Sequence, residues 1–308
     1  MSTATSPLLT VDPRGCIFSI VGTDESVPQK LFASLRAAKE QELLIIGGGV
    51  KFFAPEDVAR MVPWVLNGFR GFGGVALSGG TAYFDKATGK LKSEIITALP
   101  SELAAIYECI AIGTFPRVED FAFDREHHFL YTDTYGAVVD DRYHHIASIQ
   151  KNASDVMGWD GDLLKRFEMI DALSKWLKAY LLINGGDVTR VEGYMALERD
   201  MHVIAGYGSK RETDALVAAK SGDWSLTAKE MRDNAQAKVD KAKAEGKDEE
   251  TVGKLEAKVI TANAEADAAV AYCQSVLAGR EELVHVVGYG DDTALYDTAK
   301  RIGFKLAA

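Results

Sequence analysis

The sequence lacks several features that would identify a class of protein at once. It has only 3 cysteines in 308 residues, and Cys16, Cys109 and Cys273 follow no metal-ligand spacing. Scattered cysteines of this kind are typical of reduced thiols and predict a cytoplasmic protein. No apolar run approaches the roughly 20 residues that span a bilayer, and the N-terminus lacks the pattern of a secretory signal. We therefore expect no membrane contact.

A basic surface is also missing. The chain has 35 Lys and Arg against 45 Asp and Glu, which gives a formal net charge of -10. A general nucleic-acid binder needs a basic face for phosphate contacts, so nucleic acid is not an expected partner. The composition, 47% hydrophobic and 26% charged, is that of a globular protein. A chain of this length buries enough surface to fold without disulfides or metals.

Short apolar runs that end in glycine recur along the chain. They are too short for helices and rich in Val, Ile and Leu, as strands buried on both faces are. Stretches with helical spacing lie between most of them, so the sequence predicts an α/β fold with a Rossmann-like, doubly wound, mostly parallel sheet. The runs are CIFSIVG, ELLIIGGG, GVALSGG, ECIAIG, AYLLINGG, MHVIAGYG and LVHVVGYG.

Two regions interrupt this alternation. Residues 117–160 are polar and aromatic without clear periodicity, and we expect an irregular insertion there. Residues 225–278 are rich in alanine and charged residues, and they predict a helical hairpin inserted before the last strand. The expected Rossmann-like domain then consists of residues 16–220 plus 281–308.

The hairpin is predicted from two stripes of small and apolar residues at helical spacing. Thr227 and Glu230 form a capping box at the start of the first helix, and AEGKDEE separates the two helices. The hairpin has three interpretations: an arm that packs on its own domain, a homodimer contact, or a site for a foreign partner. The stripes are Ala228, Met231, Ala235, Val239 and Ala242, then Leu255, Val259, Ala262, Ala266, Ala269, Cys273 and Val276.

Three glycine loops follow predicted strands, where backbone N–H groups of an α/β protein approach a phosphate. They are Gly47–Gly49, Ser78–Thr81 and Gly185–Thr189, and none is a Walker A loop or a GxGxxG fingerprint. In the third loop, Thr189 can cap the next helix or bind a phosphate oxygen. Glu192 can accept a hydrogen bond from ribose, or it can be an exposed acid that favours the helix dipole.

The segment YLLINGGDVTRVEGYMALERDMHVIAGYGSKRETDAL resembles the GG-x-GT-x-x-E signature of the lonely-guy proteins, in the SLOG superfamily of Rossmann-like proteins. GVALSGGT is similar to that superfamily's other phosphate loop, and the resemblance covers roughly residues 16–220. It implies a nucleotide or nucleotide-derived ligand. Enzymic members cleave the N-glycosidic bond of nucleoside monophosphates, and others, including the domain related to the N-terminus of TRPM channels, act as ligand sensors.

The signature carries over residue by residue with one departure. Val188 occupies the position of the usual glycine before the threonine, and a β-branched residue there restricts the backbone. Arg166 with Met169 is the nearest match to the enzymes' arginine on the preceding helix, but its spacing to Gly185 is longer than in the enzymes. It either faces the pocket and stabilises phosphate or lies on the surface of an amphipathic helix.

The sequence therefore predicts a sensor that binds a nucleotide or nucleotide sugar (an ADP-ribose-like ligand) without a cofactor or a metal. Two alternatives remain: a phosphoribohydrolase-like enzyme with Glu192 and Arg166 as catalytic residues, and an assembly protein that forms a homo-oligomer through 225–278. Adjacent histidines at His127 and His144 lack a metal-ligand frame. The expected ligand-binding residues are Gly48, Gly79, Gly80, Thr81, Gly185, Gly186, Thr189, Glu192, Gly208 and Ser209.

Overall fold

The chain forms two compact units, Met1–Leu181 with Gly290–Ala308 and Leu182–Tyr289. The boundary falls inside the strand Leu177–Asn184, which supplies residues to both units. The expected domain, in contrast, kept residues 16–220 together and separated the hairpin from them. The computed structural model describes residues 9–10, 17–22, 31, 35–50, 52–85, 90–92, 95–116, 121–124, 129–132, 137–140, 142–150 and 159–307.

The described strands and helices alternate along much of the chain. The strands are β1 (Leu9–Thr10), β2 (Ile17–Gly22), β3 (Glu42–Gly49), β4 (Val75–Ser78), β5 (Thr81–Asp85), β6 (Lys90–Lys92), β7 (Ile110–Pro116), β8 (Phe121–Asp124), β9 (Phe129–Thr132), β10 (Ala137–Val139), β11 (His145–Gln150), β12 (Leu177–Asn184), β13 (His202–Tyr207) and β14 (Val284–Gly288). The helices are α1 (Pro55–Gly68), α2 (Leu99–Ile106), α3 (Trp159–Ala172), α4 (Asp187–Glu198), α5 (Arg211–Lys220), α6 (Lys229–Ala244), α7 (Glu249–Leu277) and α8 (Asp292–Ile302).

The main sheet of the first unit has the order β1-β2-β11-β7-β4-β3-β12. The pairs β2–β11, β11–β7, β7–β4 and β4–β3 are parallel, and the short β1 pairs antiparallel with β2. Leu43, Leu44, Ile45 and Ile46 are fully buried in succession, as a strand covered on both faces requires. The expected Rossmann-like α/β fold with a mostly parallel sheet is confirmed.

The residues expected to form an irregular insertion contain regular structure instead. Strands β8, β9 and β10 join β5 and β6 in a second, antiparallel sheet with the order β6-β5-β10-β9-β8. Strand β11 lies inside the main sheet, between β2 and β7. The prediction for 117–160 was wrong because these strands have only 3 to 6 residues. Such short runs, with polar residues among apolar ones, give no clear period.

Helices α1 and α8 pack together through aromatic and polar contacts. Trp64 Nε1 donates to the Asp291 carbonyl at 3.1 Å, and the Arg70 guanidinium lies 3.3 Å from the centre of the Tyr296 ring. Phe304 follows α8 and meets the Phe69 ring edge to face at 5.8 Å. These contacts fix α8 against α1 and the residues that directly follow α1.

The second unit contains the end of β12, strands β13 and β14, and helices α4 to α7. Strands β13 and β14 are parallel neighbours, with Val203 opposite Val284. Helices α6 and α7 run antiparallel, since Lys243 near the end of α6 pairs with Glu256 near the start of α7 at 2.8 Å. The inserted helical hairpin is therefore confirmed.

The two stripes of the hairpin form its packing faces. Val239, Ala242, Ala266, Cys273 and Val276 are buried, while most residues between them are exposed. The small side chains let the helices approach each other, so the alanine seam is used within the chain itself. No helix among the described residues has the length and apolar character needed to cross a membrane.

The expected capping box at the start of the hairpin is wrong. Helix α6 begins after Ala228, which has a left-handed backbone and no side-chain cap. Glu230 instead forms an ion pair with Arg211. The Glu230 side chain therefore reaches Arg211 and not Thr227, whose N–H donates to the Trp224 carbonyl at 3.2 Å.

The contact between β7 and the loop that follows β4 predicts a strong effect of a single methyl group. A Cβ added at Gly113 would lie 2.4 Å from Gly80 Cα, and both glycines are buried. We expect Gly113→Ala to lower the free energy of unfolding by about 1–3 kcal/mol, because the backbone at Gly80 must move away from β7. Urea unfolding measures this change.

Gly253→Ala is the matched control, since Gly253 lies in α7 and a Cβ there meets nothing within 4 Å. Alanine has the higher helix propensity, so this variant gains up to about 1 kcal/mol. Equal stability losses in the two variants would contradict the close contact at Gly113.

Candidate functional site

The first glycine pair is buried under neighbouring elements. A Cβ at Gly79 would lie 2.5 Å from Thr97 Cγ2, and one at Gly80 would lie 2.9 Å from Gly113 Cα. Thr81 follows directly and its carbonyl accepts a hydrogen bond from Thr97 Oγ1 at 2.8 Å. The chain then enters β5 rather than a helix. Packing alone accounts for these glycines, and phosphate binding here stays a prediction.

Gly48 and Arg166 complete the predicted site residues of the first unit. Gly48 is half-buried and is the second-to-last residue of β3. The side chain of Arg166, on α3, is buried, so the surface interpretation does not hold. Its Nε donates to Thr114 Oγ1 at 3.0 Å, and its Nη1 donates to the Tyr180 hydroxyl at 3.3 Å. Thr114 also approaches Gly79, whose added Cβ would lie 4.0 Å from the Thr114 carbonyl oxygen. Arg166 and the turn at Gly79 therefore both lie next to Thr114.

A buried ion pair in the first unit was not predicted. Asp140 is fully buried, and Arg142 donates to it from Nε at 2.8 Å and from Nη2 at 2.7 Å. Ser101 Oγ donates to the same carboxylate at 2.6 Å, and Glu102 also pairs with Arg142. The carboxylate fixes the turn between β10 and β11 to α2, which is a structural role.

In the second unit, the strand β12 leads directly into α4 through the second glycine pair. Gly185 has a φ of 81°, a backbone conformation that favours glycine. The Thr189 side chain packs directly against Gly185, since a Cβ there would lie 2.0 Å from Thr189 Oγ1. Gly186 is the N-cap of α4. Thr189 and Glu192 are both buried on α4, so Glu192 is not the exposed acid of the alternative interpretation.

Ser209 ties the loop after β13 to the end of β12. Its Oγ accepts a hydrogen bond from Asn184 N at 2.7 Å, and Ser209 is fully buried. The Asn184 carbonyl accepts from Thr213 Oγ1 at 2.6 Å. Gly208 N donates to Asp214 Oδ1 at 2.8 Å, so this backbone donor already has an acidic partner. Ser209 and Gly208 thus hold the two loops in place.

An arginine covers the start of α4. A Cβ at Gly186 would lie 2.4 Å from Arg211 Nη2, so the guanidinium lies directly on this glycine. Arg211 has a φ of 54°, a strained backbone that directs its side chain towards α4. Its Nε donates to Glu230 Oε2 at 2.9 Å. A guanidinium and the positive end of a helix dipole therefore meet at one glycine, and a carboxylate already binds there.

A second arginine at the same helix end is more deeply buried. Arg190 Nη1 donates to Asp187 Oδ1 at 2.6 Å and to Glu212 Oε1 at 3.1 Å. Its Nη2 lies 3.4 Å from Met231 Sδ on α6. Burial raises the pKa of Glu212, partly offset by the Arg190 charge. Sequence reasoning missed this cluster because its members lie on three different helices.

The described cysteines are not nucleophiles. Cys109 and Cys273 are free and buried, and burial raises the pKa of each thiol to about 12. A thiol with such a pKa is not ionised at neutral pH. Cys16 and the pair His127–His128 lie outside the described residues.

A groove of about 350 Å³ in the first unit lies away from these loops. Gly73, Glu40 and Glu108 line it just before β4, β3 and β7 begin, with Lys39 and Lys305 beside them. It therefore lies at the amino ends of these strands, whereas the glycine loops follow their carboxyl ends. None of the predicted site residues lines this groove.

Compared with known proteins, the chain matches no family model and no curated protein. The case for a function therefore rests on the geometry of the described residues.

The buried Ser209 hydroxyl predicts a stability loss on its removal. Ser209→Ala leaves the Asn184 N–H without this acceptor, and we expect the free energy of unfolding to fall by about 1–3 kcal/mol. Ser275→Ala on the exposed face of α7 is the control and changes stability by less than about 0.5 kcal/mol. Similar losses of unfolding free energy for both variants in urea unfolding would contradict the structural role of Ser209.

The raised pKa of Glu212 predicts how the stability of a Glu212 variant, relative to the natural protein, changes with pH. A folded state that holds the Glu212 proton more tightly than the unfolded state is stabilised at low pH. That contribution is lost as the pH rises through the raised pKa. Glu212→Gln has no proton to lose, so its stability relative to the natural protein increases from about pH 4 to pH 7. Thermal unfolding across this range tests the sign.

Glu282→Gln, an exposed control, shows no such trend relative to the natural protein. A relative stability of Glu212→Gln that falls with rising pH would mean that the Arg190 ion pair outweighs burial.

Proposed function

We propose that this protein is a SLOG-type cytoplasmic sensor that binds a nucleotide or nucleotide-derived, ADP-ribose-like ligand at the Gly185–Gly186 loop. The observation that carries the proposal is the Arg211 guanidinium over Gly186 at the start of α4. A cation beside a helix N-terminus attracts phosphate, and a glycine lets the phosphate approach the backbone. In the structure, the Glu230 carboxylate pairs with Arg211 and so occupies the position that we propose for the ligand phosphate.

The same ion pair supports a sensing role. Glu230 belongs to the first turn of α6, so it links Arg211 to the helical hairpin. A ligand phosphate that replaced the Glu230 carboxylate on Arg211 would release this attachment. Ligand binding and the hairpin would then compete for one guanidinium, which makes the hairpin the output of the sensor.

Thr189 and Glu192 have the roles that the SLOG resemblance implies in this proposal. Thr189, which lies against Gly185, is proposed to cradle the phosphate together with Gly185 and Gly186. Glu192, one turn further along α4, is proposed to hold the ribose. Gly48, Gly79, Gly80, Thr81 and Arg166 stay predictions for the first unit.

Ligand-observed NMR with AMP, ADP-ribose and NAD tests binding and turnover in one experiment. We expect saturation transfer to at least one of these nucleotides. Arg211→Gln should weaken the affinity by about 10–100-fold, the value of a hydrogen bond to a charged group. Lys210→Gln is the matched control, because it removes the same charge from the adjacent exposed side chain.

Equal affinities of the two variants would exclude Arg211 from the site, and silence of the natural protein across the panel would refute the proposal. The free base appearing over hours would favour the alternative, a phosphoribohydrolase-like enzyme. In that case Glu192→Gln binds the nucleotide but releases no base.

The assembly alternative depends on the hairpin, whose alanine seam packs within the chain. Its outer face carries Ile260, which is 72% exposed. Deleting residues 225–278 and measuring the mass in solution separates the alternatives. A lower subunit count after the deletion would favour a homo-oligomer through the hairpin.

A further inference from the structure

Two histidines of the second unit meet on neighbouring strands. His202 begins β13, and His285 is the second residue of β14. The parallel register pairs Ile204 with His285, so His202 lies diagonally across from His285 on the same face of the sheet. His202 Nδ1 and His285 Nε2 are 3.0 Å apart, and the ring centres are 5.1 Å apart.

The state of these rings suits metal binding. Two ring nitrogens at 3.0 Å share one hydrogen, so one of them donates and the other accepts. Neutral imidazole is the commonest metal ligand in proteins. A metal ion can take the place of the shared hydrogen when that hydrogen moves to the other nitrogen of the donor ring, which stays neutral.

The distance between the nitrogens suits chelation of one ion. Imidazole nitrogens bind a divalent transition metal at about 2.0–2.1 Å. Two such ligands are about 2.9 Å apart at a right angle and about 3.3 Å apart on a tetrahedral ion, so the observed 3.0 Å lies in the range that one ion spans. The rings turn towards a common ion about χ2, a soft torsion.

We propose that His202 and His285 form a bidentate site for a divalent transition-metal ion, with Cu²⁺ bound most tightly among the first-row ions. No group of three or more His, Cys, Asp and Glu side chains suited to a metal occurs in the described part of the chain. Water therefore completes the coordination, and the bound ion clamps β14 to β13. This inference does not depend on nucleotide binding.

Electron paramagnetic resonance of the full chain with Cu²⁺ at pH 7.5 tests the site. His202→Asn and His285→Asn each remove one ligand, and Val286→Ala changes an exposed neighbour on β14 as the matched control. Other histidines of the chain can also take up Cu²⁺, so the readout is a difference. We expect each histidine variant to bind one ion fewer than the natural protein and the control. At substoichiometric Cu²⁺ the natural protein shows coupling to two nitrogens.

A second measurement needs no variant. Stoichiometric Cu²⁺ should protect His202 and His285 together from modification by diethyl pyrocarbonate, as read by mass spectrometry. Equal Cu²⁺ stoichiometry in all four proteins, or coupling to a single nitrogen, would overturn the proposal. So would modification of both histidines at the same rate with and without Cu²⁺.

Discussion

The structure of the second unit depends on the hydrogen bonds that the backbone N–H and carbonyl of Asn184 make where β12 ends. Asn184 has a left-handed backbone, with a φ of 55°, and leaves the sheet there. A buried N–H or carbonyl without a partner is costly. Ser209 Oγ accepts from the N–H and Thr213 Oγ1 donates to the carbonyl, so two side chains replace the strand partner. Because this turn is so tight, α4 begins only three residues later, at Asp187, and Gly185 and Gly186 form the loop between them.

The charged cluster at the start of α4 is built on that turn. The backbone N–H of Glu212 donates to the Gly185 carbonyl, which brings the start of α5 to the start of α4. Arg190 and Arg211 then reach Asp187, Glu212 and Glu230 from two directions. Two cations and three carboxylates at one helix end leave an excess of negative charge. In the proposed site, a phosphate would have to compete with these carboxylates of the protein for the two arginines.

The sequence carried enough information for elements with a clear period. The hairpin could be predicted because Ala266 and Cys273 repeat at heptad spacing over several turns, and the sheet because its strands are continuous apolar runs. Strand β11 was missed because HIASIQ mixes polar and apolar residues within six positions. The contact of Arg211 with Gly186 and Glu230 was missed because it joins separate helices. No local pattern reports such a contact, and it even displaced the expected capping box.

The length of the hairpin has a mechanical consequence. Helix α7 has 29 residues and is therefore about 43 Å long, while its closest attachments lie near one end. Tyr194 and Tyr272 meet there, and Arg280 pairs with Asp200 just beyond the helix. A stiff arm fixed at its base behaves as a lever. A tilt of a few degrees at the ion pair of Glu230 becomes a displacement of several ångströms at the far turn, without any change within the arm itself.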